Sequence, residues 1–208
     1  MTRPNEEGFL MVVDVHSLIT NPERTALLVV DMQNDFVLPG RPIAAPGALD
    51  AAEVIADLAT RSRRRGLPVV YTQEMHRPDL SDFGIELRFE PPHCLEGTDG
   101  PDVIDRLAPE PGDIRITGKR RYDAFLGTDL DLTLRTAGVE NLIVTGVCTD
   151  ICVASTIQHA RNLDYRCFVV REAVAGTSAE RHDAALLCME HVFAYVGSAD
   201  ECRRVFGL

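Results

Sequence analysis

The sequence predicts an α/β fold: a three-layer α-β-α sandwich, Rossmann-like, around a mainly parallel sheet of about six strands. Short apolar runs alternate with stretches of helical period, and this alternation is typical of parallel sheets with right-handed crossovers. Residues 26–30 are apolar at every position, as expected for a strand that helices cover on both faces. The 208 residues suffice for one core of this kind.

The predicted elements follow one another along the chain. The apolar runs that predict strands are residues 25–31, 68–72, 113–117, 141–147, 166–170 and 192–196. The predicted helices, which have apolar residues every three or four positions, are 49–65, 129–137, 150–162 and 179–190. Between the second and third strands, residues 74–111 contain only a short helical pattern at 101–107. An interruption of that length inside a compact domain predicts a functional loop.

We expect one domain over residues 23–208, preceded by an N-terminal arm or tail over residues 1–22. The arm has no strong hydrophobic period. Its apolar residues 9–13 are suited to a contact with another subunit.

The charge excludes two classes of partner. Lys and Arg total 21 against 32 Asp and Glu, a formal charge of −11, whereas nucleic acids and anionic membranes attract clustered Lys and Arg. No apolar stretch approaches the ~20 residues that span a bilayer, and the first 24 residues lack the order of a signal peptide. We therefore expect a cytoplasmic protein without nucleic-acid or membrane partners, whose six cysteines are reduced thiols.

Reactive side chains follow four of the predicted strands. They are Asp31, then Glu74 and His76, then Lys119, then Cys148 and Cys152. Ligands of open α/β sheets bind at the carboxyl ends of the strands, so these side chains are expected at one shared edge.

Cys152 is the candidate nucleophile. Thr149 or Asp150 is predicted to cap a helix whose first turn holds Cys152, where the helix dipole stabilises a thiolate. Asp31 is the candidate general base, and Lys119 between the two would hold both ionised. The alternatives are that Cys148 and Cys152 are small buried apolar residues and that Asp31 holds loop amides.

Three segments carry a family resemblance. They are D-M-Q-N-D-F at 31–36, K-R-R-Y-D-A-F at 119–125 and G-V-C-T-D-I-C-V at 146–153. In this order they resemble the signature segments of the isochorismatase-like cysteine hydrolases. That superfamily includes nicotinamidases, N-carbamoylsarcosine amidohydrolase, biuret hydrolase and ureidoacrylate amidohydrolase. The resemblance covers roughly residues 24–198.

The resemblance implies a mechanism. Asp31, Lys119 and Cys152 would form a catalytic triad, and a cis peptide after Val147 would place the N–H of Cys148 beside that of Cys152 as an oxyanion hole. Cys152 would attack a small amide or carbamoyl or ureido compound, release ammonia and leave a thioester for hydrolysis. This chemistry requires no cofactor.

The sequence leaves open whether a metal binds beside the pocket. E-M-H at 74–76 and P-P-H-C at 91–94 are similar to nicotinamidase segments in which an Asp and two His bind a metal beside the pocket. Here the candidate ligands are Glu74, His76 and His93, with Asp82 where some nicotinamidases have another His. This set is adequate for zinc, iron or manganese, and the alternative is a polar pocket wall.

The substrate also remains open. H-R-P-D-L at 76–80 resembles a loop of biuret hydrolases, which act on linear carbamoyl amides without a metal. Phe36 and Phe125 are candidate pocket walls, but the chain has no Trp and only 6% aromatic residues, which favours a small polar amide over nicotinamide. The remaining alternatives are a nicotinamidase with a pocket metal and a non-catalytic oligomeric scaffold. The resemblance implies a homodimer or homotetramer.

Overall fold

The described part of the chain contains one six-stranded sheet in which all neighbouring strands are parallel. A computed structural model describes residues 14–208. The strands are β1 (Thr25–Val30), β2 (Val69–Glu74), β3 (Ile114–Lys119), β4 (Asn141–Val147), β5 (Arg166–Ala175) and β6 (Tyr195–Gly197). Their order across the sheet is β3-β2-β1-β4-β5-β6. The predicted fold class is confirmed.

Helices connect and cover the strands. The α-helices are α1 (Val15–Leu18), α2 (Asn34–Val37), α3 (Ala48–Arg65), α4 (Leu130–Thr136), α5 (Ala154–Asn162), α6 (Ala179–Val192) and α7 (Ala199–Phe206). Two 3-10 helices, Gly84–Arg88 and Asp105–Leu107, lie in the long interruption, and a π-helix, Thr149–Val153, precedes α5.

The sheet has an apolar core on each face. Leu27 and Val29 of β1 belong to the core that α3 and α7 cover. Leu28 and Val30 alternate with them and belong to the core under α4, α5 and α6. Every residue of β1 is buried, as expected for a central strand between two helical layers.

β2 and β3 each end two residues later than predicted, at Glu74 and Lys119, and three other elements differ more clearly. The sixth strand was expected at 192–196, but Val192 ends α6 and the strand occupies Tyr195–Gly197, because an apolar run does not reveal where a buried helix stops. β5 continues to Ala175 rather than ending at 170. The predicted helix at 150–162 begins as a π-helix.

The described part of the N-terminal arm packs on the domain. Val15 and Ile19 are buried in the core that α3 and α7 cover, here called the α3-side core. The Asn21 side chain donates a hydrogen bond to Glu140 Oε2 (2.9 Å), and the Asn141 amide donates to the Asn21 carbonyl (2.7 Å). The expected subunit-contact segment, 9–13, lies outside the described residues.

Two further expectations concern helices and thiols. Within residues 14–208, no helix combines the length and apolarity that crossing a bilayer requires. All six cysteines are free thiols, of which only Cys188 is exposed.

Candidate active site

Four adjacent parallel strands deliver the candidate catalytic residues to one edge of the sheet. Asp31 directly follows β1, Lys119 ends β3, and Cys148 directly follows β4. The pairing of β2 with β3 places Glu74 opposite Lys119, after a register shift between Thr72 and Glu74. The common direction of the strands therefore gathers these side chains at their carboxyl ends.

Lys119 lies at the centre of this group. Its Nζ is 2.7 Å from Asp31 Oδ2, 2.7 Å from Glu74 Oε2 and 3.7 Å from Cys152 Sγ. All four residues are buried. Burial lowers the pKa of Lys119, but the facing Asp31 and Cys152 raise it by more, to well above its ordinary value. Lys119 is therefore a fixed cation between two carboxylates and the thiol.

Asp31 is held by the backbone and by Thr72. Its N–H donates to Thr72 Oγ1 (3.2 Å), and the Thr72 hydroxyl donates to Asp31 Oδ1 (2.6 Å). Asp31 has φ 49°, an uncommon left-handed conformation for a residue other than glycine. Burial raises the pKa of Asp31, and the opposing effect of Lys119 is smaller. A raised pKa suits a general base.

Gly146 permits the close packing of β1 against β4 beside the site. A Cβ at Gly146 would lie 2.0 Å from the Val30 carbonyl oxygen, and the residue has φ +110°. Only glycine fits both requirements. The carboxyl end of β4 can therefore approach the turn that carries Asp31.

Cys152 lies in the π-helix that follows β4. Its predicted capping residues make other contacts: Asp150 accepts hydrogen bonds from the Thr177 N–H (2.8 Å) and hydroxyl (2.5 Å), and Thr149 pairs with His182 Nδ1 (2.9 Å). Neither side chain caps this helix. The capping prediction is wrong because both side chains find partners in the segment that leads into α6 and in α6 itself.

Burial raises the pKa of the Cys152 thiol well above its ordinary value, and Lys119 only partly offsets this effect. This direction favours the protonated thiol. The thiolate that was expected beside the helix and Lys119 is disfavoured by burial, because the desolvation cost exceeds the effect of Lys119. Attack by Cys152 consequently requires a base.

Cys148 and Cys152 flank the same turn. The peptide bond between Val147 and Cys148 is cis, the geometry that the resemblance implies. The Cys148 carbonyl accepts hydrogen bonds from the N–H groups of Ile151 (3.0 Å) and Val153 (3.1 Å). Both cysteines border the cavity described below.

A second group of buried polar residues adjoins the first. Glu74, His76, Glu86 and His93 each offer a ligand atom, and these atoms lie within 4.8 Å of one another. Glu74 joins the two groups, since its Oε1 is 3.2 Å from His76 Nε2 while its Oε2 contacts Lys119. Burial raises the pKa of Glu74, but Lys119 and His76 lower it by more, to about 2.

This group has a donor set that fits a divalent cation. Two imidazoles and two carboxylates are common ligands of zinc, iron and manganese. Both carboxylate oxygens of Glu86 are buried without a hydrogen-bond partner among residues 14–208, and Oε1 is 3.5 Å from His93 Nε2. Buried polar atoms of this kind usually have a partner. The residues present therefore fit a metal.

Asp82 is not part of that group. Its Oδ1 lies 3.4 Å from His76 Nδ1, on the ring nitrogen that faces away from Glu74. It also accepts hydrogen bonds from the Arg77 N–H (3.1 and 3.2 Å). Glu86 rather than Asp82 is the fourth member of the group, and Asp82 lies on the opposite side of the His76 ring.

A small cavity lies next to Cys152. It has a volume of about 10 Å³, which holds roughly one water molecule. Its lining residues are Phe36, Ile43, Glu74, Glu90, His93, Tyr122, Val147, Cys148, Ile151 and Cys152.

Of the two aromatic residues predicted to line the pocket, Phe36 does so and Phe125 does not. Phe36 lines the cavity and lies 5.3 Å from His93, ring centre to ring centre. Phe125 does not line it: the ring packs in the core under α4, α5 and α6, against Tyr165 (5.8 Å) and His159 (5.2 Å). Phe125 is apolar and ends the K-R-R-Y-D-A-F segment, so its sequence position did not distinguish core from pocket.

Three residues of this region were not predicted. Tyr122 lies inside the K-R-R-Y-D-A-F segment, which was a usable signal. Glu86 and Glu90 lie in the long interruption, where no spacing or motif distinguishes them from solvated carboxylates.

Comparison with known families decides the family to which this fold belongs. The model of the isochorismatase domain matches residues 25–201. The chain belongs to the isochorismatase family. The predicted recognition as an isochorismatase-like hydrolase is confirmed, and the matched segment spans all six strands.

The isochorismatase-family relatives of this chain include several amidohydrolases. Ureidoacrylate amidohydrolase RutB of Azorhizobium caulinodans is 30% identical, over 88% of this chain and 91% of the relative. The nicotinamidase/pyrazinamidase PncA structure from Bacillus subtilis is 32% identical with a TM-score of 0.78, covering 84% of this chain and 99% of that one. The N-carbamoylsarcosine amidase structure from Thermoplasma acidophilum is 34% identical with a TM-score of 0.74, covering 85% and 96%.

These relatives establish the enzyme class at a coarse level. The chain is a hydrolase of the amidohydrolase type, acting on C–N bonds other than peptide bonds. The predicted enzyme class is confirmed, and the scaffold alternative is set aside.

Proposed function

We propose that this protein is a cysteine-dependent amidohydrolase that cleaves a small amide, carbamoyl or ureido C–N bond through a thioester and releases ammonia. The observation that carries the proposal is the position of Lys119 Nζ, 2.7 Å from Asp31 and 3.7 Å from Cys152 Sγ. A buried carboxylate, ammonium and thiol in contact form a base, an electrostatic stabiliser and a nucleophile. The relatives named above support the same reaction class.

The first half-reaction forms the thioester. Asp31 takes the proton of the Cys152 thiol as Sγ attacks the carbonyl carbon, so a C–S bond forms and the carbonyl oxygen becomes an oxyanion. The N–H groups of Cys148 and Cys152 receive that oxyanion. Collapse of the intermediate breaks the C–N bond, and the proton on Asp31 passes to the leaving nitrogen, which departs as ammonia.

The second half-reaction reverses these roles. Asp31 takes a proton from water, the resulting hydroxide attacks the thioester carbon, and the C–S bond breaks. The proton returns from Asp31 to Cys152 Sγ, which restores the resting enzyme and releases a carboxylic or carbamic acid. Lys119 remains protonated throughout and stabilises each anion that forms beside it.

Variants of the two cysteines test this proposal. We expect Cys152→Ala to abolish ammonia release from a panel of biuret, N-carbamoyl amino acids, maleamate and nicotinamide. Cys148→Ala keeps its backbone N–H and should retain thioester formation. Mass spectrometry of quenched reactions checks the assignment: an acyl adduct on Cys152 in the Cys148→Ala variant supports it. Turnover that survives Cys152→Ala contradicts it.

The second candidate function is a nicotinamidase with a pocket metal. The specific observation in its favour is the group of Glu74, His76, Glu86 and His93, with its two unpartnered carboxylate oxygens. These four residues would hold the ion, and a bound zinc, iron or manganese would act as a Lewis acid toward substrate in the adjoining cavity. Asp82 would fix the ring of His76.

The metal content of the purified protein tests the second candidate function without an activity assay. In protein purified without chelator, the metal hypothesis expects about one ion per chain, lost in both Glu86→Gln and His93→Ala, and a thermal midpoint that falls when chelator is added. Asp82→Asn should weaken binding without removing a ligand. Sub-stoichiometric metal that does not change in His93→Ala excludes a functional ion at this site.

A further inference from the structure

Glu90 occupies the mouth of the candidate active site. Glu90 and Ile151 line both the small cavity beside Cys152 and an open groove that runs along α6. The cavity holds roughly one water molecule, so a substrate that reaches Cys152 must pass the residues that the two spaces share. The Glu90 side chain therefore lies where part of the substrate has to lie.

The carboxylate of Glu90 is available to a ligand. Among residues 14–208 no hydrogen bond or ion pair engages its side chain, whereas neighbouring Glu86 is fully enclosed and Glu96 pairs with Arg120 (2.6 Å). Glu90 is half-buried. A partly desolvated carboxylate without a partner favours a ligand that supplies N–H donors or positive charge.

Neither Lys nor Arg lines the cavity beside this carboxylate in the described part of the chain, where the lining includes Glu74, Glu90 and His93. Both ring nitrogens of His93 already face other oxygens, Glu86 Oε1 (3.5 Å) and the Pro91 carbonyl (2.8 Å). Lys119 lies just behind the thiol, but it already contacts Asp31 and Glu74. Burial raises the pKa of the lining Tyr122 to about 12, so its phenol stays neutral. A negatively charged substrate would lose its hydration here without gaining a counter-ion.

Taking the proposed amidohydrolase function as given, we propose that Glu90 determines substrate specificity. It accepts hydrogen bonds from the N–H groups of neutral or cationic amides and ureas, and it rejects substrates that carry a carboxylate close to the scissile C–N bond. Among carbamoyl compounds, the favoured class has a neutral, N–H-rich neighbour to the carbamoyl group. Arg181 lines the groove but not the cavity, so only a longer acid that extends past Glu90 could reach it.

A pair of substrates that differ in one charge tests this inference. N-carbamoylglycine and its N-methylamide share the carbamoylglycyl group and end in a carboxylate and a neutral amide, respectively, and each carries one carbamoyl group that releases ammonia. We expect the wild-type enzyme to favour the neutral N-methylamide in kcat/KM by about tenfold or more, because two like charges face each other in a partly desolvated site. Glu90→Gln should reduce that preference severalfold. The exposed Glu180→Gln on α6 is the matched control and should leave it unchanged.

Binding to Cys152→Ala separates this inference from the proposed function. Calorimetric titration of that variant with both compounds measures the charge preference without turnover, and Glu90→Gln in the same background should diminish it. If no amide is turned over, the proposed function fails while the binding preference still tests Glu90. Equal affinity for both compounds, or a preference that survives Glu90→Gln, overturns the role of Glu90. A preference for the acid that is lost in Arg181→Gln overturns it as well.

Discussion

Lys119 Nζ lies 2.7 Å from Glu74 Oε2, as close as it lies to Asp31 Oδ2. The ammonium thus shares its charge between a residue of the predicted triad and a residue of the neighbouring histidine group. Two carboxylates and one ammonium are buried together, so removal of the ammonium leaves two like charges without compensation.

Lys119→Met should therefore destabilise the fold as well as abolish activity. Breaking a buried ion pair by deleting one partner costs about 3–5 kcal/mol, and here a single cation serves two carboxylates. Urea unfolding followed by circular dichroism at pH 7 measures the loss. Adding Glu74→Gln to Lys119→Met should recover part of the stability, because one of the stranded charges is then gone.

The surface ion pair between Arg106 and Glu53 (2.8 Å) supplies the control. Water and salt screen exposed pairs, which contribute little to stability, so Arg106→Met should change the unfolding free energy little. A loss in Lys119→Met no larger than in Arg106→Met would mean that water reaches the buried carboxylates.

Thr72→Val should move the acid limb of the pH profile to higher pH. The Thr72 hydroxyl donates to Asp31 Oδ1 (2.6 Å) and lowers the pKa of that carboxyl, which burial raises. In the proposed mechanism Asp31 acts as a carboxylate, so we expect kcat/KM to fall as pH drops through its pKa. Without the hydroxyl the pKa rises further, and the decline begins at higher pH. The profile of kcat/KM from pH 4 to 9 measures this.

Thr145→Val is the matched control for that profile. Thr145 is buried in neighbouring β4, and its hydroxyl donates to the Leu28 carbonyl (3.0 Å) rather than to a titratable group. It should lose some stability and keep the acid limb in place. An acid limb that shifts equally in both variants would assign the limb to a group other than Asp31.

The sequence predicts much of this architecture. The continuous apolar run of β1 predicted a central parallel strand. The residues that follow four predicted strands, Asp31, Glu74, Lys119 and Cys148, were predicted to lie at one edge of the sheet. Register is what the sequence did not supply: the pairing of Glu74 with Lys119 depends on an irregularity in β2, and period counting does not detect a single register shift.

The long interruption reverses the usual hydrophobic pattern. In the 3-10 helix Gly84–Arg88 and the residue after it, Ile85 and Phe89 are exposed (72% and 79%) whereas Glu86 is buried (3%). Patterning rules place the carboxylate outside and the apolar residues inside, so they misassign all three residues. The buried histidines that Glu86 faces are the physical reason, and only tertiary contacts disclose them.

Gly146→Ala should prevent the close approach of β4 to β1. The added Cβ would lie 2.0 Å from the backbone oxygen of Val30, which cannot move without displacing the turn at Asp31. We expect a loss of about 3 kcal/mol or more from steric overlap and the positive φ, or insoluble protein. Gly118→Ala in β3, where nothing lies within 4 Å, is the control. Equal urea midpoints for the two variants would contradict this packing.

Residues 14–22 should prove part of the folded domain rather than a removable tail. Ile19 is 5% exposed within the α3-side core, and truncation of such a residue costs about 2–5 kcal/mol. Ile19→Ala should therefore lower the urea midpoint clearly, whereas Ile85→Ala, at a position 72% exposed, should change stability by about 0.5 kcal/mol at most. A chain lacking residues 1–22 should unfold more easily still, because Val15 and the Asn21 hydrogen bonds are lost too.

Light scattering on Ile19→Ala and on the shortened chain separates two roles for this segment. If the assembly state is retained while stability falls, the segment acts within one chain. If it dissociates while Ile19→Ala retains wild-type stability, the segment joins subunits and its packing on the domain contributes little.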